Sequence, residues 1–203
     1  ATPSYVGGAA HDARAIEQTH IAAAFPGVGS RHQDFFAMRV FAEALGGGMA
    51  SRLFQTIREE RGLAYSVYAH ADCYDDVGAL GAYIGADAEH ALEAVELLRR
   101  EIEDAAEALS AEEAARARAV LTSTLLMGLE NPAGRIEMAA GQIFTFGAAL
   151  SPAEMRGRLN AVTIDDARRC AERALSGPAS LAIVGEGDLA SIAKAVGAPV
   201  SRG

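Results

Sequence analysis

The sequence predicts an α+β fold, an antiparallel sheet with helices packed on one face, and three observations carry that expectation. Short apolar runs of strand length stand in both halves of the chain, at 20–25 and 181–184. Between Tyr65 and Tyr74 apolar and polar residues alternate with a period of two, followed by an acidic turn and a returning apolar run. From about residue 90 to 175 the pattern is one of successive amphipathic helices, nearly all opened by a capping signature.

Taken in order, His20 to Phe25 is a buried strand stopped by Pro26-Gly27. Ser30 followed by Gln33 reads as a capping box opening a helix with Phe36, Val40, Phe41 and Ala44 on one face. Gly46-Gly47-Gly48 closes that helix, as glycine enters the left-handed region cheaply. A second helix turns Leu53, Phe54 and Ile57 inward and stops at Gly62. In the strand that follows, Tyr65, Val67, Ala69, Ala71 and Cys73 share one face, with Ser66, Tyr68, His70, Asp72 and Tyr74 on the other. Asp75-Asp76 turns the chain into a strand over 79–85 whose small side chains, Gly81, Ala82 and Gly85, imply close packing from above.

His90 to Leu109 places Leu98, Ile102, Ala105 and Leu109 on one stripe. Helix starts follow at Ser110/Glu113, Asn131-Pro132, Ser151-Pro152/Glu154 and Thr163/Asp166. Leu181 to Val184 is a short buried strand, after which a glycine-rich tail is expected to fray, over about 196–203. With no long linker and no tandem repeat, 1–203 reads as one domain.

Composition excludes several function classes. Half of the 203 residues are hydrophobic and 22% are charged, which is a core-forming balance and not that of a disordered chain. Eighteen cations against 27 acids, a net charge of −9, with no basic run, leave nothing to neutralise a phosphate backbone, so nucleic acid is no partner. No apolar stretch reaches the roughly 18–20 residues that span a bilayer. Cys73 and Cys170, far apart and outside any CxxC, read as buried small hydrophobes. The chain starts at Ala1 with neither Met nor a leader, which reads as a piece of a longer chain.

The familiar catalytic patterns are missing. None of the five histidines is spaced with another ligand as in HExxH or HxxEH, and no zinc is expected in this chain. Gly46-Gly47-Gly48 lacks a following GK[ST] and follows a helix, so it reads as an interhelical hinge and not a phosphate loop. No serine stands in a GxSxG elbow. His70, on the polar strand face beside Asp72, reads as an ordinary surface imidazole.

The block GGGMASRLFQTIREERGLAYSVYAHADCYDDVGALGAYIGAD resembles the carboxy-terminal, metal-free domain of the pitrilysin/insulinase (M16) family of zinc peptidases, nearest to the bacterial and mitochondrial processing peptidases. HIAAAFPG, LLMGLENPAGRIEMAAGQIFTFG, LSPAEMRGRLNAVTIDDARR and LAIVGEG follow in the family's order, so the resemblance covers almost the whole chain. It implies a processing-peptidase-like metallohydrolase domain: the non-catalytic half of a zinc metalloendopeptidase, a clamshell whose zinc sits in an HxxEH-bearing partner domain. It implies a peptide or unfolded polypeptide substrate, no activity from this domain alone, and pairing with that partner or with a second copy. A soluble protein of the bacterial cytoplasm or periplasm is the matching expectation.

The resemblance also implies two substrate-binding residues. The family lends an arginine and a tyrosine seven positions apart, and Arg58 and Tyr65 have that spacing. A guanidinium and a phenol can donate hydrogen bonds to substrate carbonyls without competing for the metal. Arg58 ends a helix, Gly62 turns the chain, and Tyr65 opens the next strand, so the two can serve one edge. Neighbouring Glu59 and Arg61 read as helix-end charges. Two competing readings stand beside this one: a metal-free assembly subunit of the same fold, and a small-molecule-binding regulatory domain, which would need a closed apolar pocket.

Overall fold

A computed structural model describes residues 3–200. Five strands form one mixed sheet in the order β1-β5-β2-β4-β3: β1 (Gly8–Ala13), β2 (Thr19–Pro26), β3 (Ala64–Cys73), β4 (Gly78–Ala86) and β5 (Ser180–Gly185). All neighbouring pairs are antiparallel except β1 and β5, which run parallel. The fold is α+β as the sequence predicts, with that one parallel pair added.

The period of two decides which face of the sheet is dry. Ile21, Ala23 and Phe25 of β2, Leu80, Ala82 and Ile84 of β4, Val67 and Ala69 of β3, and Leu181 and Ile183 of β5 are all buried. Onto them pack α1 (Phe35–Gly46), α2 (Ala91–Ala108), α6 (Ile164–Ala174) and α7 (Leu189–Val196). The opposite face carries Tyr68 stacked on Tyr83, with His20 Nδ1 2.6 Å from the Tyr83 hydroxyl. There the His70 ring lies over Gly81 and Ser66 Oγ lies against Gly85, so neighbours on β3 occupy the space that the small residues of β4 leave.

The helix starts divide instructively. Ser110, Asn131, Ser151 and Thr163 all cap as expected, opening α3 (Ala111–Gly128), α4 (Pro132–Phe146), α5 (Pro152–Asn160) and α6. The Ser30/Gln33 box does not form. The helix begins five residues later, at Phe35, because Ser30 is held to the hairpin turn by its N–H donating to the Tyr74 carbonyl (2.6 Å). Asp34, buried at the actual helix entry, instead accepts from Arg169 NH2 at 2.6 Å, an arginine that also binds Asp166.

The glycine run also acts differently from the expectation. Gly47 is right-handed (φ −80°), so no left-handed cap is needed. Gly46 is required because α1 lies directly on β3, where a Cβ would strike the Ala69 backbone nitrogen. Two elements were not expected: β1, and α7, which lies between β5 and the segment expected to fray. Asp188 caps α7, and Ile192, Ala193 and Val196 are buried. Ala198 is buried as well, and 201–203 lie outside the described residues.

The α6 cap gives a pH test. Hydrogen bonds from the Thr163 hydroxyl and backbone, and then from Arg169, hold the Asp166 carboxyl down to about 2. A folded-state pKa below the ordinary value contributes stability that is complete above about pH 4 and is lost as the pH falls through about 2. Asp166→Asn should cost about 1 kcal/mol near neutrality, with the gap to wild type in urea midpoint narrowing as the pH is lowered from about 4 toward 2.

Candidate functional site

The helix that leads into the site is not an ordinary one. Over Phe54–Glu60 it is π-wound, an uncommon geometry associated with functional positions. Leu53 and Ile57 are its buried anchors. Arg52, at its entry, is largely buried and tied to two other helices. Its Nε lies 2.6 Å from a Glu113 oxygen of α3, bent away from hydrogen-bond geometry, while NH2 donates to the other Glu113 oxygen and to the Ala108 carbonyl, each at 3.1 Å. Glu101 of α2 stands 3.6 Å from Arg52 NH1 and accepts from the Thr56 hydroxyl at 2.8 Å. Burial would raise the Glu113 pKa, but hydrogen bonds from Arg52 and Ser110 outweigh it and hold the carboxyl below its usual range.

Arg58 projects from this helix into solvent with its guanidinium 4.8 Å from the centroid of the Phe54 ring. The stack supports the charge from below and leaves the N–H edges free. The helix ends at Arg61. Gly62 then takes φ +65°, a left-handed turn that side chains resist, and the Leu63 N–H donates to the Ile57 carbonyl at 2.9 Å.

Tyr65 stands just past the turn, and here the structure corrects the strand phase. Ala64 pairs with Ala86 and Ser66 with Gly85, so Tyr65 is an extra residue at a bulge. The bulge puts Ala64 inside with Val67 and Ala69, and it turns Tyr65 out, 58% exposed, off the face it was expected to share with Val67. Among the described residues the side chains of Arg58 and Tyr65 make no hydrogen bond or ion pair within the chain, while Arg61 pairs with Glu93 at 3.4 Å between two half-exposed side chains. Two uncommitted donors thus flank one tight turn.

The sequence pattern puts Phe54 inward beside Leu53 and Ile57 and does not single out Arg52, whereas in the structure Phe54 is half-buried beneath the Arg58 guanidinium. The spacing of Phe54 and Arg58, four apart on a helix, was the available signal for that stack; the place of Arg52 depends on α2 and α3, which no local pattern places. Replacing Phe54 by Leu should free Arg58 without emptying much volume, while Phe54→Tyr should preserve the stack. The ring-current shift of the Arg58 side-chain protons, read by NMR, should be lost with Leu and kept with Tyr.

The remaining candidates settle quietly. Burial pushes the Cys73 thiol up to about 11 and the Cys170 thiol up to about 12, so neither is a thiolate nucleophile at neutral pH. His70 is exposed with Asp72 at 3.2 Å. Among the described residues no group of three or more His, Cys, Asp or Glu stands close enough to hold a metal ion, and no helix is long and apolar enough to cross a membrane.

Comparison with known proteins agrees with the fold. In solved structures, a conserved protein from Enterococcus faecalis V583 superposes with a TM-score of 0.77 at 22% identity, over 92% of this chain and 43% of that one. A chain of Complex III2 from Candida albicans superposes at 0.81 with 17% identity, over 98% and 50%. Proteins named as uncharacterized zinc proteases are similar in sequence: one of Streptomyces coelicolor is 35% identical over 85% of this chain and 38% of its own length, and one of Rickettsia felis is 33% identical over 91% and 45%. The chain thus spans less than half the length of the zinc proteases it matches. Residues 9–121 match the model of the peptidase M16 inactive domain. With that match covering more than half of its residues, and with zinc proteases as its relatives, the chain belongs to the M16 peptidase family, as an inactive domain of it.

Proposed function

We propose that this chain is the non-catalytic half of a zinc metalloendopeptidase and that Arg58 and Tyr65 bind the backbone carbonyls of a peptide when an HxxEH-bearing unit closes over it. The observation that carries the reading is the pair of free donors on either side of Gly62, one braced by Phe54 and the other turned outward by the bulge. A peptide in extended form presents carbonyl oxygens at regular intervals, and a planar guanidinium and a phenol can each donate to one of them. The developing negative charge of a tetrahedral intermediate is where such donors have the greatest effect. The metal and the water it activates belong to the companion unit, so the work left to this chain is gripping and orienting substrate.

The deciding experiment is reconstitution. The gene of this chain, or its neighbour, should encode HxxEH; co-expression of the two units should give a chelator-sensitive peptidase, and this chain alone should hold substoichiometric zinc and cleave nothing. Stoichiometric zinc in the isolated chain, with activity abolished by a chelator, would overturn the half-enzyme reading. Absence of HxxEH from both genes would leave the assembly-subunit reading in its place.

A further inference from the structure

The helix α4 is out of keeping with the rest of the chain. A helix that is apolar on all sides is normally buried, and α4 carries Ile136, Met138, Ala139, Ala140, Ile143, Phe144 and Phe146 with only Arg135 and Glu137 as charges. Yet its single buried residue is a polar one, Gln142, which accepts from the Leu150 N–H at 2.7 Å. Ile136, Ile143 and Phe144 are 70%, 52% and 81% exposed, and on a helix they stand on one side, at i, i+7 and i+8.

The helix is pinned at its two ends. At the first, Gly134 lies directly on the Gly128 carbonyl. At the second, the Phe146 ring meets Phe35 edge-on at 5.7 Å and stacks on Phe36 at 6.4 Å. Between these pins α4 bridges an open apolar cavity of about 490 Å³ above Leu121, Leu125 and Met155. Leu126 and Met127, at the end of α3, add two further exposed apolar side chains, 47% and 58%. An apolar surface of this kind, fixed in place but bare, is an interface without its occupant.

We infer that the outer face of α4 is the surface on which the HxxEH-bearing companion seats, an inference that rests on the proposed function. The size of the relatives supports this occupant: they are more than twice as long as the part this chain matches, so each carries beside that part enough chain for a second body of at least equal size. A second copy is the weaker occupant, as each copy carries a net charge of −9 and a symmetric pair would bring the two together.

The test co-expresses the chain with the HxxEH unit of its own or its neighbouring gene and measures association by sedimentation, with wild type, the triple variant I136S/I143S/F144S, and Y68S on the open sheet face. Helix content and thermal midpoint of each variant are recorded, and hydrogen exchange over 132–146 in wild type, alone and in complex, provides a readout that needs no variant. The expected result is association at least about tenfold weaker in the triple variant, no change in Y68S, and slowed exchange in α4 on complex formation. If the wild-type complex forms while the triple variant binds equally well and α4 exchange is unchanged, this inference is overturned and the half-enzyme reading stands. Loss confined to Y68S would seat the companion on the sheet instead. A self-dimer of the isolated chain that the triple variant dissociates would assign the face to a second copy. Failure of the wild-type units to associate at all would overturn the inference and the proposed function together.

Discussion

Tyr65→Phe should lower kcat of the assembled peptidase by about 10²–10³-fold, the usual consequence of losing one oxyanion donor, while KM changes little. The substitution removes a single hydroxyl from a side chain that is already exposed and has no partner within the chain, so folding and metal content should be unaffected. Arg58→Ala should raise KM as well as lower kcat, because a guanidinium also holds substrate in the ground state. Arg61→Ala is the control: its ion pair with Glu93 is solvent-exposed and contributes little. Steady-state kinetics on one peptide substrate would separate these three, and full activity in Tyr65→Phe with loss in Arg61→Ala would mean that the gripping pair lies elsewhere.

A comparably large effect, on stability, is expected at Arg52. Its guanidinium faces Glu113 and Glu101, and the side chains of all three are less than a fifth exposed. Arg52→Met fits the stem but leaves two carboxylates without their cation, which should cost about 3 kcal/mol in urea unfolding. Adding Glu113→Gln should recover part of the loss, since the uncompensated charge is what destabilises; a double-mutant cycle measures the coupling. An additive cycle would show that the pair contributes nothing. Because Arg52 stands at the entry to the π-wound helix, activity should fall in step with the folded fraction only if Phe54 and Arg58 keep their positions without it.

What could be read from the sequence was whatever is written locally. Ser110, Asn131, Ser151 and Thr163 cap their helices because cap and acceptor lie within one turn, a relation that needs nothing from the rest of the chain. Ser30 and Gln33 have the same spacing and fail, since the Tyr74 carbonyl and the Arg169–Asp34 pair, both distant in sequence, determine where α1 starts. β1 was invisible for a related reason: Gly-Ala-Ala-His-Asp-Ala has no alternation of its own, and it is a strand only because β5 offers an edge. Arg58 and Tyr65 were singled out through the family resemblance, whose spacing they match, while the exposure of Tyr65 was not legible, because a bulge inverts the phase that a strict period of two assigns to it.

The parallel pairing of β1 with β5 also governs the order in which the molecule can be assembled. Residue 8 meets residue 180, and β5 enters between β1 and β2, so the sheet cannot close until nearly the entire chain is available. On the ribosome, the β3–β4 hairpin can form early, from contacts close in sequence, and β2 can then join β4 across the segment that holds α1, while β1 waits and β2 shows a bare edge to its surroundings. Fragments ending near residue 121, where the family match stops, would therefore keep the hairpin that presents Tyr65 but lack the strand that completes the sheet. Such fragments should aggregate or be degraded, and in refolding experiments the slow step should be the arrival of β5, detectable as late amide protection at both 8–13 and 180–185.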